Sequence, residues 1–106
     1  MHTAQWLQKS GIWDRLLIFH VANERKGSIG AIMHFKRMGV RKGVADWLAF
    51  PPGRPAWAIE LKDTDGDDPR SSQNKFRDDW EAAGHVYVVV RKLEDFQRII
   101  SALVLF

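Results

Sequence analysis

The chain has no cysteine among its 106 residues, which excludes disulfides and thiolate zinc sites. No apolar run approaches the roughly 18 uninterrupted residues that span a bilayer, so no membrane partner is expected. The opening MHTAQWLQKSG lacks the charged and apolar regions of a signal peptide, and a cytoplasmic setting is the expectation. There are no repeats, no low-complexity tracts, no glycine-rich phosphate loop and no serine-nucleophile pattern. His20, His34 and His85 fall singly on different elements, without His-x-x-x-His or His-Asn-His spacing, and read as core or surface residues.

What is present is a hydrophobic content of 45% with five tryptophans, enough for a packed globule rather than disorder. The length suits one domain, residues 1–106, with a single modest core. The net charge of +3 is small, but its distribution is uneven. Six basic residues and no acid lie between Arg25 and Ala45, whereas five acids and one lysine lie between Glu60 and Asp68. Such a pairing suits a protein that holds a polyanion and a divalent cation together, and it also suits two solvated faces of opposite sign.

The hydrophobic pattern predicts a short helix over residues 3–10, stopped by Gly11, and then a buried strand in RLLIFHVAN. Ser28 is positioned to cap a second helix, with Ala31, Ile32, Phe35 and Met38 on one face and Gly39 at its end. GVADWLAF and AWAIELK read as the two strands of a hairpin around PPGRP. Ser71 or Ser72 is positioned to cap a third helix, with Phe76, Trp80 and Ala83 inward and Gly84 at its end. HVYVVV reads as a strand buried on both faces. A closing helix starts near Leu93, with Phe96, Ile99, Ile100 and Leu103 at helical spacing. The order α-β-α-β-β-α-β-α predicts an α/β fold, a mixed four-stranded sheet flanked by helices.

The acidic stretch AIELKDTDGDDP offers two candidate sites. An EF-hand loop counted from Asp63 would need glycine at position 6 and glutamate at 12, but glycine falls at 4 and position 12 is Asn74. Asp63, Asp65 and Asp67 therefore read as a solvated turn. Glu60 and Lys62, two apart on a strand, share a face, while Ile59 and Leu61 point the other way. Asp46 lies on the partner strand and must be satisfied or functional. Two carboxylates converging across a hairpin suit a hard cation such as Mg²⁺, with the backbone carbonyl of Leu61 as a third oxygen. Lys62 is then placed to serve the attacking water and the transition-state charge. Gln73 shares the inward face of its helix with Phe76 and Trp80, and it would point back toward the sheet. Trp47 and Trp57 alternate against the Glu60 face and read as core.

Asp46 followed by Glu60-Leu61-Lys62 resembles the signature of the PD-(D/E)XK nucleases. The surrounding HVANERKGS, MGVRKGVADWLAF and AIELK, with Gln73 before AAGHVYVVV, make the chain similar to a stand-alone VRR-NUC domain over roughly residues 4–100. The resemblance implies a restriction-endonuclease-like core in which Asp46 and Glu60 hold Mg²⁺ or Mn²⁺, Lys62 serves the nucleophile and Gln73 orients groups in the site. Arg25, Lys26, Arg41 and Lys42 are the expected phosphate contacts. Many members of that family carry a glutamate on the first helix, four residues before a glutamine. Here Gln5 would be that glutamine and the acid's place is Met1. The departure leaves open a one-metal site, a weaker second site or a trimmed start, with Glu24 as a possible substitute.

The resemblance implies a metal-dependent endonuclease of branched DNA, four-way (Holliday) junctions first, because stand-alone members of that family act on junctions as dimers. A chain this size has room for one active site, so symmetric incision calls for a homodimer. Val104, Leu105 and Phe106 extend the apolar run beyond the closing helix's buried face and either complete such an interface or close the chain's own core. Two alternatives remain: a non-catalytic nucleic-acid-binding module, and an accessory subunit of a replication or repair complex.

Overall fold

The computed structural model describes residues 2–22, 33–34, 36–41, 43–62 and 71–105, with side chains from residue 74 onward in the last stretch. Helix α1 (Thr3–Lys9) is followed by Gly11, whose φ of +79° starts the 3-10 turn Ile12–Asp14. The strands are β1 (Leu17–His20), β2 (Trp47–Phe50), β3 (Trp57–Leu61) and β4 (Val86–Val90). Helix α2 (Ser71–Ala82) joins β3 to β4, and α3 (Leu93–Leu105) closes the chain. The expected cap Ser28 and the apolar positions Ala31, Ile32 and Phe35 lie outside the described residues. Residues 33, 34, 36 and 37 are helical, and the Gly39 N–H closes that turn on the Lys36 carbonyl.

The four strands form one mixed sheet in the order β1-β2-β3-β4. The first two pairings are antiparallel, and β3 runs parallel to β4. A parallel pair needs a crossover, and α2 supplies it. The expected hairpin is present, with Trp47 opposite Ile59 and Ala49 opposite Trp57. Strand alternation then sorts the side chains. Ile18, Trp47, Ala49, Ile59 and Val90 lie on one face with Leu7, Phe96, Ile100 and Leu103, the core supplied by α1 and α3. Trp47 lies 5.9 Å from Phe96 ring to ring, and Trp57 packs against the same cluster, so both tryptophans belong to the core, as their spacing predicts. Arg54, in the hairpin loop, donates to the Leu103 carbonyl and ties that loop to α3.

The opposite face carries Ala58, Glu60 and Tyr87 and is covered at β4 by α2, whose Phe76 ring lies 6.2 Å from Tyr87. The expected caps Ser71 and Ser72 stand at the start of the described part of α2, and their side chains lie outside it. The end of α2 does follow the expected glycine. The His85 N–H bonds the Trp80 carbonyl and the Gly84 N–H bonds that of Glu81, a Schellman closure made possible by the Gly84 φ of +92°. Ala83, expected inward, is exposed.

Two strands differ from the expected burial. HVYVVV was expected to be buried on both faces, but only Val90 is buried in β4, and Val89 is 45% exposed. In β1 only Ile18 is buried. Among the described residues both are edge strands, each with a strand on one side only, and strand order is a non-local property that composition does not carry.

Candidate active site

Asp46 sits one residue before β2 rather than inside it. The β2–β3 register, continued by that one residue, sets Asp46 across from Glu60 on the face away from the core. The backbone ladder stops there and the Asp46 side chain takes over: its Oδ2 accepts the Leu61 N–H at 2.7 Å. Its main-chain carbonyl accepts the Val21 N–H at 2.8 Å and lies 2.8 Å from His20 Nδ1. His20, read as core or surface, is an exposed residue that tethers the Asp46 backbone. One of these bonds orients the carboxylate and two hold the backbone beneath it.

Glu60 is only 5% exposed. Burial, and then the negative charge of Asp46, push its carboxyl from the ordinary 4.5 up to about 7. The Lys62 ammonium opposes the rise, and a hydrogen bond with the Asp46 carboxyl adds to it. Asp46, Glu60 and Lys62 are therefore close enough to act on one another, as strand alternation predicts. Leu61 turns its side chain to the core cluster, while its N–H faces Asp46. The N–H and C=O of a strand residue project to the same edge, so the Leu61 carbonyl lies on the Asp46 side.

Two acidic groups that resist joint ionisation are a donor set suited to a hard divalent cation, which would neutralise the repulsion and take both as oxygen ligands. Among the described residues no third His, Asp or Glu joins them in a ligand cluster. Helix α1, where a further acid would be expected, packs on the core face of the sheet, and Gln5 is exposed.

Gln73 falls in the first turn of α2, three residues before Phe76, and its side chain lies outside the described part. Arg25, Lys26, Lys42, Glu24 and the aspartate loop at 63–68 also lie outside the described residues. Arg41 is exposed and borders a cleft beside α2, together with Lys75 and Trp80.

Two neighbours of the site were missed by the sequence reading. Tyr87 is the partner of Ala58 and shares the Glu60 face; burial, with Glu60 next, pushes its phenol up to about 12. Arg77, one turn beyond Gln73, opposes that rise and so sits near the phenol, while it also pairs with Asp78 and Glu81. Tyr87 did leave a signal: it is the chain's single tyrosine, set in a run of valines where a hydroxyl needs a reason.

A scan of protein-family models, a search of curated proteins and a search of solved structures each returned no match to this chain. The functional reading therefore stands on the residues and their geometry.

Proposed function

We propose that the chain is a divalent-metal-dependent DNA endonuclease with a restriction-endonuclease-like core. The observation that carries the reading is the meeting of the Asp46 and Glu60 carboxyls beside Lys62 on one face of the sheet. Asp46 and Glu60 would hold Mg²⁺ or Mn²⁺, with the Leu61 carbonyl as a further oxygen. The cation would supply Lewis acidity toward a phosphodiester and its attacking water. Lys62 donates hydrogen bonds from its ammonium to the water or to a phosphate oxygen, where negative charge develops. The Leu61 N–H fixes one Asp46 oxygen and so orients the carboxylate beside Glu60. Arg25, Lys26, Arg41 and Lys42 would grip phosphates, and Gln73 would orient groups near the metal.

The preferred substrate in this reading is branched DNA, four-way junctions first, cut by a homodimer. The test is incubation of the purified protein with labelled flap, fork, four-way and duplex DNA plus Mn²⁺. Metal-dependent cutting, lost in Asp46→Asn and Glu60→Gln while binding survives, supports it; undiminished cutting in excess EDTA refutes it. Met1 in the place where the family the sequence resembles carries an acid favours one rival, a non-catalytic nucleic-acid-binding module, which would bind the same DNAs and cut none.

A further inference from the structure

Beside α2 lies a cleft of about 720 Å³, within the size range of small-ligand sites. Among the described residues it is bordered by Arg41, Lys75, Phe76, Asp79, Trp80 and His85. We infer that this cleft is a subsite for one unstacked nucleotide of a DNA strand, an inference that rests on the nuclease reading above.

Its aromatic wall is fixed in place. Phe76 and Trp80 stack with centroids 5.4 Å apart, and Trp80 lies 4.8 Å from the His85 ring. The Trp80 indole N–H is spent on the Val86 carbonyl at 2.8 Å, so the ring offers a locked π surface at little further entropic cost. His85 Nδ1 accepts the Ala56 N–H at 3.0 Å, which puts the ring proton on Nε2 as a donor. Arg41 and Lys75 bring positive charge to this wall. Lys75 pairs with Asp79 at 3.0 Å, but both side chains are more than half exposed and the pair is weak, so Lys75 can turn to a phosphate at little cost.

Aromatic faces joined to cations are the combination that binds a nucleobase with its backbone. A base inside a duplex has its faces covered by its neighbours, so only an unpaired base can use the wall. Phe76 connects the cleft to the candidate active site, because its ring also packs on Tyr87, whose phenol lies in the field of Glu60.

The test is a binding titration in EDTA, so that no turnover is needed. A ten-nucleotide single-stranded oligothymidine and a blunt hairpin duplex are added to the isotope-labelled protein. The Trp80 indole N–H and the Ala83 amide serve as reporters. The single strand should shift both signals and bind about tenfold tighter than the duplex, the scale of one base–aromatic stack. Trp80→Ala risks the fold, so the variant is Ala83→Trp, which fills the cleft from an exposed position. It should lower single-strand affinity about tenfold and spare the duplex. Equal affinities for the two DNAs, shifts that bypass α2, or equal losses on both in the variant would each overturn the subsite. Cleavage with Mn²⁺ is scored separately. Cleft binding without cutting sinks the nuclease reading and leaves the subsite, whereas cutting without cleft binding does the reverse.

Discussion

The Asp46 carboxylate accepts the Leu61 N–H at 2.7 Å where the strand ladder has stopped, so one side chain both completes the sheet and faces Glu60. These roles separate by substitution. Asp46→Asn keeps a carbonyl oxygen for the Leu61 N–H and should fold at near wild-type stability, yet lose metal-dependent cleavage. Asp46→Ala leaves that N–H without its acceptor and should cost about 1–3 kcal/mol. Urea unfolding of both variants checks this; equal stability would mean that the bond holds nothing.

Lys62 and Arg41 should fail in opposite ways. The Lys62 ammonium lies beside Glu60, where it would act most strongly on transition-state charge. Lys62→Ala is expected to lower the cleavage rate by about two orders of magnitude or more, with little change in affinity. Arg41→Glu combined with Lys42→Glu should weaken binding across sequences and flatten its salt dependence. If affinity collapses in the lysine variant instead, Lys62 is a phosphate anchor.

The C-terminal end sharpens the dimer hypothesis. Val104 packs against the chain's own core, but Leu105 is 76% exposed on α3. An exposed leucine at the end of an apolar run suits contact with a second copy about a two-fold axis. Light scattering at micromolar concentration should give roughly twice the 12.2 kDa chain mass, and Leu105→Glu should return it to one chain. A wild-type mass near that of one chain, with flaps cut faster than junctions, would remove both the dimer and the junction preference.

The meeting of Asp46, Glu60 and Lys62 was legible in the sequence because its geometry is local. Glu60 and Lys62 share a face by strand alternation, and PPGRP forces the hairpin that brings Asp46 across from them. The burial of β1 and β4 was not legible. Apolar runs read as interior, but Val89 and Leu17 lie on edge strands, and only the pairing of distant segments decides which strands end a sheet. Tyr87 and Arg77 were missed for the same reason: one reaches the site through parallel register, the other through the crossover helix.

Glu60 should also leave a signature in stability against pH. Burial first, and the Asp46 charge second, raise its carboxyl from 4.5 to about 7 in the folded protein. Between those values the folded state holds a proton that the unfolded chain has released. The stability from Glu60 is thus fully present below its unfolded value and is lost as pH rises through the folded one. Metal-free protein should lose stability from about pH 4.5 to 7, by roughly 3 kcal/mol at most from this group, and level off above. Glu60→Gln cannot titrate, so its unfolding free energy should lack that fall and exceed the wild type's at pH 8. A cation held by both carboxylates reverses the balance, because it favours the ionised pair. Saturating Mn²⁺ should therefore stabilise the wild type at pH 8 far more than at pH 5.5, and leave Glu60→Gln nearly unmoved. Urea unfolding across this range, with and without Mn²⁺, measures all three. A wild type and Glu60→Gln with the same pH slope would show that Glu60 ionises normally and remove the electrostatic basis of the proposed metal site.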